Sequence, residues 1–131
     1  MCRKERSKFM LKDFSKETFD IFIQAGQSNS EGFGVGAAKQ PYVPDDRVWY
    51  LNRDFTITPA AESVMGNETV SNFSLSFARK YLEAGMLAEG RKLLILRCGV
   101  GGTGFLDNHW KLTDDCYLRM LEMIRTALAL N

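Results

Sequence analysis

The stretch Phe19-Asp20-Ile21-Phe22-Ile23-Gln24-Ala25-Gly26-Gln27-Ser28-Asn29 decides how the rest of the chain is read. Residues 19–25 are mostly apolar, with aromatic and β-branched types, and they end at a glycine, which reads as a buried strand. The chain leaves that strand through Gly26 and at once presents Gln, Ser and Asn. A second stretch has the same form. Lys92-Leu93-Leu94-Ile95-Leu96 is an apolar run that reaches Cys98 and opens into Gly99-Val100-Gly101-Gly102-Thr103-Gly104.

Working outward, Arg47-Val48-Trp49-Tyr50-Leu51 reads as a short strand closed by Asn52. Residues 26–46 and 52–70 read as irregular loops, the first carrying Gly26, Gly32, Gly34 and Gly36 and then Pro41 and Pro44. Ser71 or Asn72 caps a helix running to Ala84, with Gly85 as its stop. Its expected apolar face is Phe73, Phe77, Ala78, Tyr81 and Leu82. The last helix takes Thr113 as its cap, and Asp114 and Asp115 fall where the helix dipole favours anions. Its expected stripe is Tyr117, Leu118, Leu121, Ile124 and Leu128. The order strand, loop, strand, helix, strand, loop, helix predicts an α/β domain with a mostly parallel sheet. Ligands bind such sheets beyond the carboxyl ends of the strands, which is where both glycine-rich loops begin.

The 131 residues are enough for one domain, and 45% hydrophobic with 25% charged residues is an ordinary globular composition. A formal net charge of +1 gives no field that draws nucleic acid or an anionic membrane, and no basic stripe is interleaved with aromatics. No apolar stretch approaches the roughly 20 residues of a membrane span. Cys2, Cys98 and Cys116 are far apart, with no C-x-x-C or Cys/His cluster in the sequence, so neither a disulfide framework nor a metal site is expected. Residues 1–18 read as a basic arm. No apolar core of a secretory leader follows the basic start, so an intracellular location is the default expectation.

Ser28 is the candidate nucleophile. A serine hydroxyl needs a base to remove its proton and backbone donors aimed at the developing oxyanion. The Ser28 N–H is one such donor, and Gly101 or Gly102 brings another, because glycine lets main chain approach a ligand closely. The competing reading is that Ser28 and Asn29 form a turn or cap a helix. Residues 99–104 match G-x-G-x-x-G by letter, but residues 105–110 intervene before the next helix and no acidic strand end follows, which argues against a dinucleotide site. His109, the single histidine, has three readings, a general base, a substrate contact or a surface residue, and its neighbours Asp107, Asn108 and Trp110 suit a loop lining a polar pocket. Asp45, Asp46, Asp107, Asp114 and Asp115 show no spacing that selects a catalytic pair.

Gly26-Gln27-Ser28-Asn29 resembles the nucleophile block of SGNH-type carbohydrate esterases, in the branch of sialate O-acetylesterases and acetylxylan esterases. Cys98-Gly99-Val100-Gly101-Gly102-Thr103, followed by Trp110 and a helix, is similar to that branch's second block. The resemblance implies a flavodoxin-like three-layer α/β/α sandwich with a mostly parallel sheet. It also implies a serine hydrolase that removes acetyl groups from carbohydrate without metal or cofactor. Ser28 would be the nucleophile. Ser28 with Gly101 or Gly102 would supply the oxyanion hole, and Gln27, Asn29, His109 and Trp110 would line the substrate site. The family's Gln-Gly-Glu and Asp-x-x-His blocks do not occur in these 131 residues. Residues 19–131 are therefore expected to be the amino-terminal part of such a domain, with an uncovered sheet edge or helix face open to self-association. The alternatives are a carbohydrate-binding or scaffold remnant of the same fold and, less favoured, a nucleotide-binding domain.

Overall fold

The computed structural model describes residues 14, 16–36 and 38–130. Most of the expected basic arm, 1–13 and 15, lies outside the described residues. Phe14 sits with its ring 6.1 Å from that of Phe19 and 5.4 Å from that of Trp49.

The first apolar run forms β1 (Thr18–Gln24), and a helical turn, α1 (Ser28–Glu31), follows it directly. Next come β2 (Gly34–Val35), β3 (Val48–Leu51), β4 (Ile57–Pro59), β5 (Ser63–Met65) and β6 (Glu68–Ser71). Helix α2 (Phe73–Glu83), β7 (Arg91–Arg97) and helix α3 (Asp115–Leu128) complete the order. The main sheet runs β1-β7-β3-β4, and β2-β6-β5 form a small second sheet. β7 pairs parallel with β1 from Thr18↔Arg91 to Gln24↔Arg97, and with β3 from Val48↔Leu93 to Leu51↔Leu96. Only β4 joins this sheet antiparallel. Because β1 and β7 are neighbours pointing the same way, their carboxyl ends lie side by side. Residues 26–32 and 98–104 therefore start from one rim.

Alternation along the strands divides the core in two. Phe19, Leu51, Leu94, Leu96 and Cys98 pack against Met123 and Ala127 of α3. Val48, Tyr50, Leu93 and Ile95 pack against Leu75 and Ala78 of α2. β7 is buried on both faces, so it reads as an unbroken apolar run, each fully buried Leu or Ile contributing about 1.5–3 kcal/mol. The result is a mixed α/β fold with a mostly parallel sheet and helices.

Three local expectations are corrected. Residues 52–70 are not loop: they hold β4, β5 and most of β6. β5 and β6 form a hairpin in which Met65 pairs with Glu68 around Gly66-Asn67, a two-residue connection with Gly66 at φ 63°. Secondly, the buried stripe of α3 is Cys116, Met123 and Ala127, with Met120 and Ile124 partly covered, whereas Leu118 and Leu128 are exposed. The sheet takes small and flexible side chains there rather than the bulkiest ones. The cap is Asp114, not Thr113. Thirdly, the expected α2 face holds at Ala78, which is buried, and at Tyr81 and Leu82, which pack partly buried against the core, but α2 also buries Ser74 and Leu75. Phe77 lies at the margin, stacked on Phe22 with ring centroids 4.1 Å apart. The expected Asn72 cap holds, accepting from the Ser74 N–H at 3.0 Å.

Candidate active site

The loop after β1 is shaped by one carbonyl. Gln27 caps α1, and its oxygen accepts from the N–H groups of Ser30 and Glu31 and from Ser30 Oγ, at 2.9–3.0 Å. Gly26 makes the exit turn at φ 131°, and a Cβ there would stand 2.9 Å from Ser30 Oγ. Ser28 is half-buried at the start of the turn. Its N–H meets no protein acceptor among the described residues, as the first amide of a helical turn commonly does. Its hydroxyl donates to Gln27 Oε1. An amide oxygen orients a hydroxyl but does not take its proton, so this contact is not a nucleophile–base pair.

The second loop lies directly on the first. Cys98 N–H donates to Gln24 O and Val100 N–H to Gly26 O, both at 2.9 Å. At Gly99 the approach is so close that a Cβ would fall on Ser30 Oγ and within 2.9 Å of Glu31 N. Glycine is required there by space. Gly101 N–H donates to Glu31 Oε2. The Gly102 N–H has no protein acceptor among the described residues, and the position where its Cβ would stand is open. Of the two expected glycine donors, Gly101 is thus engaged by a carboxylate and Gly102 is free.

Beneath the Ser28 turn is a polar network that no local pattern announces. Gln24, 1% exposed, donates from Nε2 to Ser30 O and to Asn72 Oδ1, and accepts from Arg97 Nη1. Arg97 also donates to Glu31 O at 2.6 Å and lies 5.0 Å above the Tyr50 ring. Burial draws its guanidinium below the ordinary pKa, although it stays charged. Asn72 closes the circuit by donating to Tyr50 OH at 3.1 Å. Finally, Arg53 Nη2 meets Glu31 Oε1 at 2.9 Å. Glu31 is the functional candidate that sequence reasoning missed. The signal for it was faint: an acid one helical turn after Ser28, with unassigned arginines at 53 and 97.

The remaining expected residues separate. Gln27 and Trp110 line one cleft of about 530 Å³ with Gly26, Thr103, Phe105 and Tyr117. Trp110 is almost wholly buried and donates from Nε1 to Thr103 Oγ1 at 2.8 Å. Asn29 lines a different cleft, of about 430 Å³, with Phe33, Asn72 and Phe73. His109 is among the lining residues of neither. Its Nδ1 meets Asp115 Oδ1 at 2.8 Å, and this hydrogen bond raises the imidazole pKa and lowers that of Asp115. Asp115 therefore has a partner beyond the helix dipole. Cys116 joins them: the donor atoms of His109, Asp115 and Cys116 lie within 4.8 Å of one another. These three donor types are close enough to hold an ion, a proximity that linear spacing did not reveal, but they sit at a helix amino terminus whose field opposes a cation. Cys98 is a packed thiol, pushed up to about 12 by burial.

A family model described as carbohydrate esterase, sialic acid-specific acetylesterase, matches residues 18–130. Among solved structures, the crystal structure of NanS superposes with a TM-score of 0.72 at 18% identity, over 88% of this chain and 50% of that one. An X-ray structure of a protein from Arabidopsis thaliana gives a TM-score of 0.64 at 20% identity, over 85% of this chain and 51% of that one. The chain spans about half the length of each, and at these identities the likeness concerns the fold. No curated protein matches the chain.

Proposed function

The chain belongs to the sialic acid-specific acetylesterases among the carbohydrate esterases, and from that premise we propose that it is a serine hydrolase site for O-acetylated carbohydrate with Ser28 as nucleophile. The observation that carries this reading is the meeting of residues 26–32, which include Ser28, with residues 98–104 at one rim, through Gly26, Ser30 and Glu31 on one side and Gly99, Val100 and Gly101 on the other. In the proposed reaction Ser28 Oγ attacks the acetyl carbonyl and forms a new C–O bond. The carbonyl oxygen gains negative charge, which the N–H groups of Ser28 and Gly102 receive. Collapse expels the sugar alkoxide, which takes up a proton, and leaves an acetyl-serine. Water then adds to that ester and releases acetate.

The proton of Ser28 goes to a base that is not among its hydrogen-bond partners here, since its partner among the described residues, Gln27 Oε1, is an amide oxygen. We assign the base role to no described residue. Trp110 and Gln27 line the sugar or acyl pocket in this reading. Helices packed on opposite faces of the sheet support a flavodoxin-like three-layer arrangement. The second reading, a carbohydrate-binding remnant without turnover, is favoured by the lack, among the described residues, of a base hydrogen-bonded to Ser28.

A fluorophosphonate probe tests the proposal. The parent chain is expected to gain one covalent adduct, mapped by mass spectrometry to the peptide containing Ser28, and Ser28→Ala none. Equal labelling of the two proteins would refute the nucleophile. Labelling together with loss of p-nitrophenyl acetate turnover in Ser28→Ala would refute the remnant reading.

A further inference from the structure

We propose that Glu31 is the positioning residue of this site. Its carboxylate fixes the glycine loop against the Ser28 turn by holding the Gly101 N–H, and Arg53 acts through it. This deepens the esterase reading and rests on it. Glu31 has two oxygens and uses both across the junction: Oε2 accepts from Gly101, 70 residues away in sequence, and Oε1 from Arg53. Its main chain is held as well, since Arg97 donates to its carbonyl and Gln27 accepts from its N–H. A residue fixed at both ends, one helical turn from Ser28, sets the height of the peptide on which the loop pivots. Gly101 is the loop's anchor, and the adjacent Gly102 keeps its N–H for the oxyanion.

The glycines agree with this assignment. A Cβ at Gly99 would strike the backbone of residues 30 and 31, and one at Gly101 would stand 3.0 Å from Glu31 Oε2. A Cβ at Gly102 would meet nothing within 4 Å. The crowded positions are those facing Glu31, and the open one is where a substrate oxygen has room. Arg53 is half-exposed, and among the described residues its hydrogen-bond partner is Glu31. Its part is to hold Oε1 so that Oε2 stays turned toward Gly101.

The experiment uses the 131-residue chain and the fluorophosphonate probe, whose P=O oxygen occupies the oxyanion position once Ser28 is phosphonylated. Glu31→Ala is expected to slow labelling about 30-fold, less than the roughly 100- to 1000-fold seen when an oxyanion donor itself is removed, with an unchanged far-ultraviolet circular dichroism spectrum. Glu31→Gln, which keeps one acceptor oxygen, is expected to recover part of that rate. Arg53→Ala is expected to slow labelling about 3-fold, and the double variant no more than Glu31→Ala alone. The Gly101 amide proton is followed by NMR in each protein and is expected to move upfield when the carboxylate is removed. A labelled parent with an equally labelled Glu31→Ala overturns the positioning role alone. Additive losses in the double variant overturn the claim that Arg53 acts through Glu31. A parent that takes no label overturns the esterase reading and the positioning role together.

Discussion

The serine side of this molecule and the histidine side are both polar clusters beyond strand ends, yet they are held in opposite ways. Around Ser28 the supporting bonds join residues distant in sequence: Gln24 to Asn72 across 48 positions, Arg97 to Gln24 across 73 and Gly101 to Glu31 across 70. At their centre Gln24 is buried. Around His109 the bond to Asp115 spans six positions and both side chains are substantially exposed. The first cluster exists only when the sheet has formed, and losing a member leaves others unsatisfied in a place water does not reach. The second is a local ion pair in water. It shifts two pKa values without holding the fold.

The sharpest way to break the contrast is Gln24→Leu. It keeps the volume but leaves the Arg97 guanidinium, Ser30 O and one Asn72 bond without their partner, and should cost about 3 kcal/mol of unfolding free energy. Urea denaturation monitored by tryptophan fluorescence reads this directly. Asn72→Ala removes the α2 cap and two bonds of the network, and should cost about 1–2 kcal/mol in the same assay. If either variant matches the parent, the network is not structural.

On the histidine side, Asp115→Asn is expected to lower the His109 pKa toward its ordinary value of 6.5, measured by NMR titration, while the melting temperature barely moves. The sign of the pH dependence follows from the shifts. His109 is raised, so its share of stability is complete below 6.5 and is lost as pH climbs through the raised value. Asp115 is lowered, so its share is complete above 3.8 and is lost as pH falls through the lowered value. A large melting shift in Asp115→Asn would make the two clusters alike.

The smallest effect distinguishes the two buried thiols. Cys98, beneath the glycine loop and pushed up to about 12, should resist iodoacetamide at pH 8 until the protein unfolds. Cys116 is raised by burial and by Asp115, so it should alkylate somewhat faster in Asp115→Asn. Peptide mapping separates the two.

The apolar runs at 19–23 and 92–96, the short strand ending at Leu51 and the Asn72 cap were legible because they are written in contiguous residues. A strand buried on both faces has to be apolar throughout, and a cap must carry a short polar side chain. Ser28 was singled out by the same local logic. The hairpin at 63–71 left a trace in Gly66-Asn67, but its flanking runs are only three and four residues long. The faces of α2 and α3 were read only in part, Ala78, Tyr81, Leu82 and Ile124 facing the core as expected, because periodicity reports apolar character without saying which apolar residues the sheet has room for. On α3 the exposed Leu118 is larger than the buried Ala127, and on α2 Phe73 is exposed while Leu75 is buried.

By itself, the sequence determined that this is an α/β chain with two strands ending in glycine-rich loops and a serine just past the first. Periodicity and turn chemistry act over a few residues and can be read there. Only the tertiary structure decided that β7 lies beside β1, that Glu31 rather than a substrate faces Gly101, and that Gln27 and Asn29 open onto different clefts. Those relations join positions tens of residues apart. They are fixed by strand pairing and by the need to satisfy buried polar groups, neither of which leaves a mark on neighbouring letters.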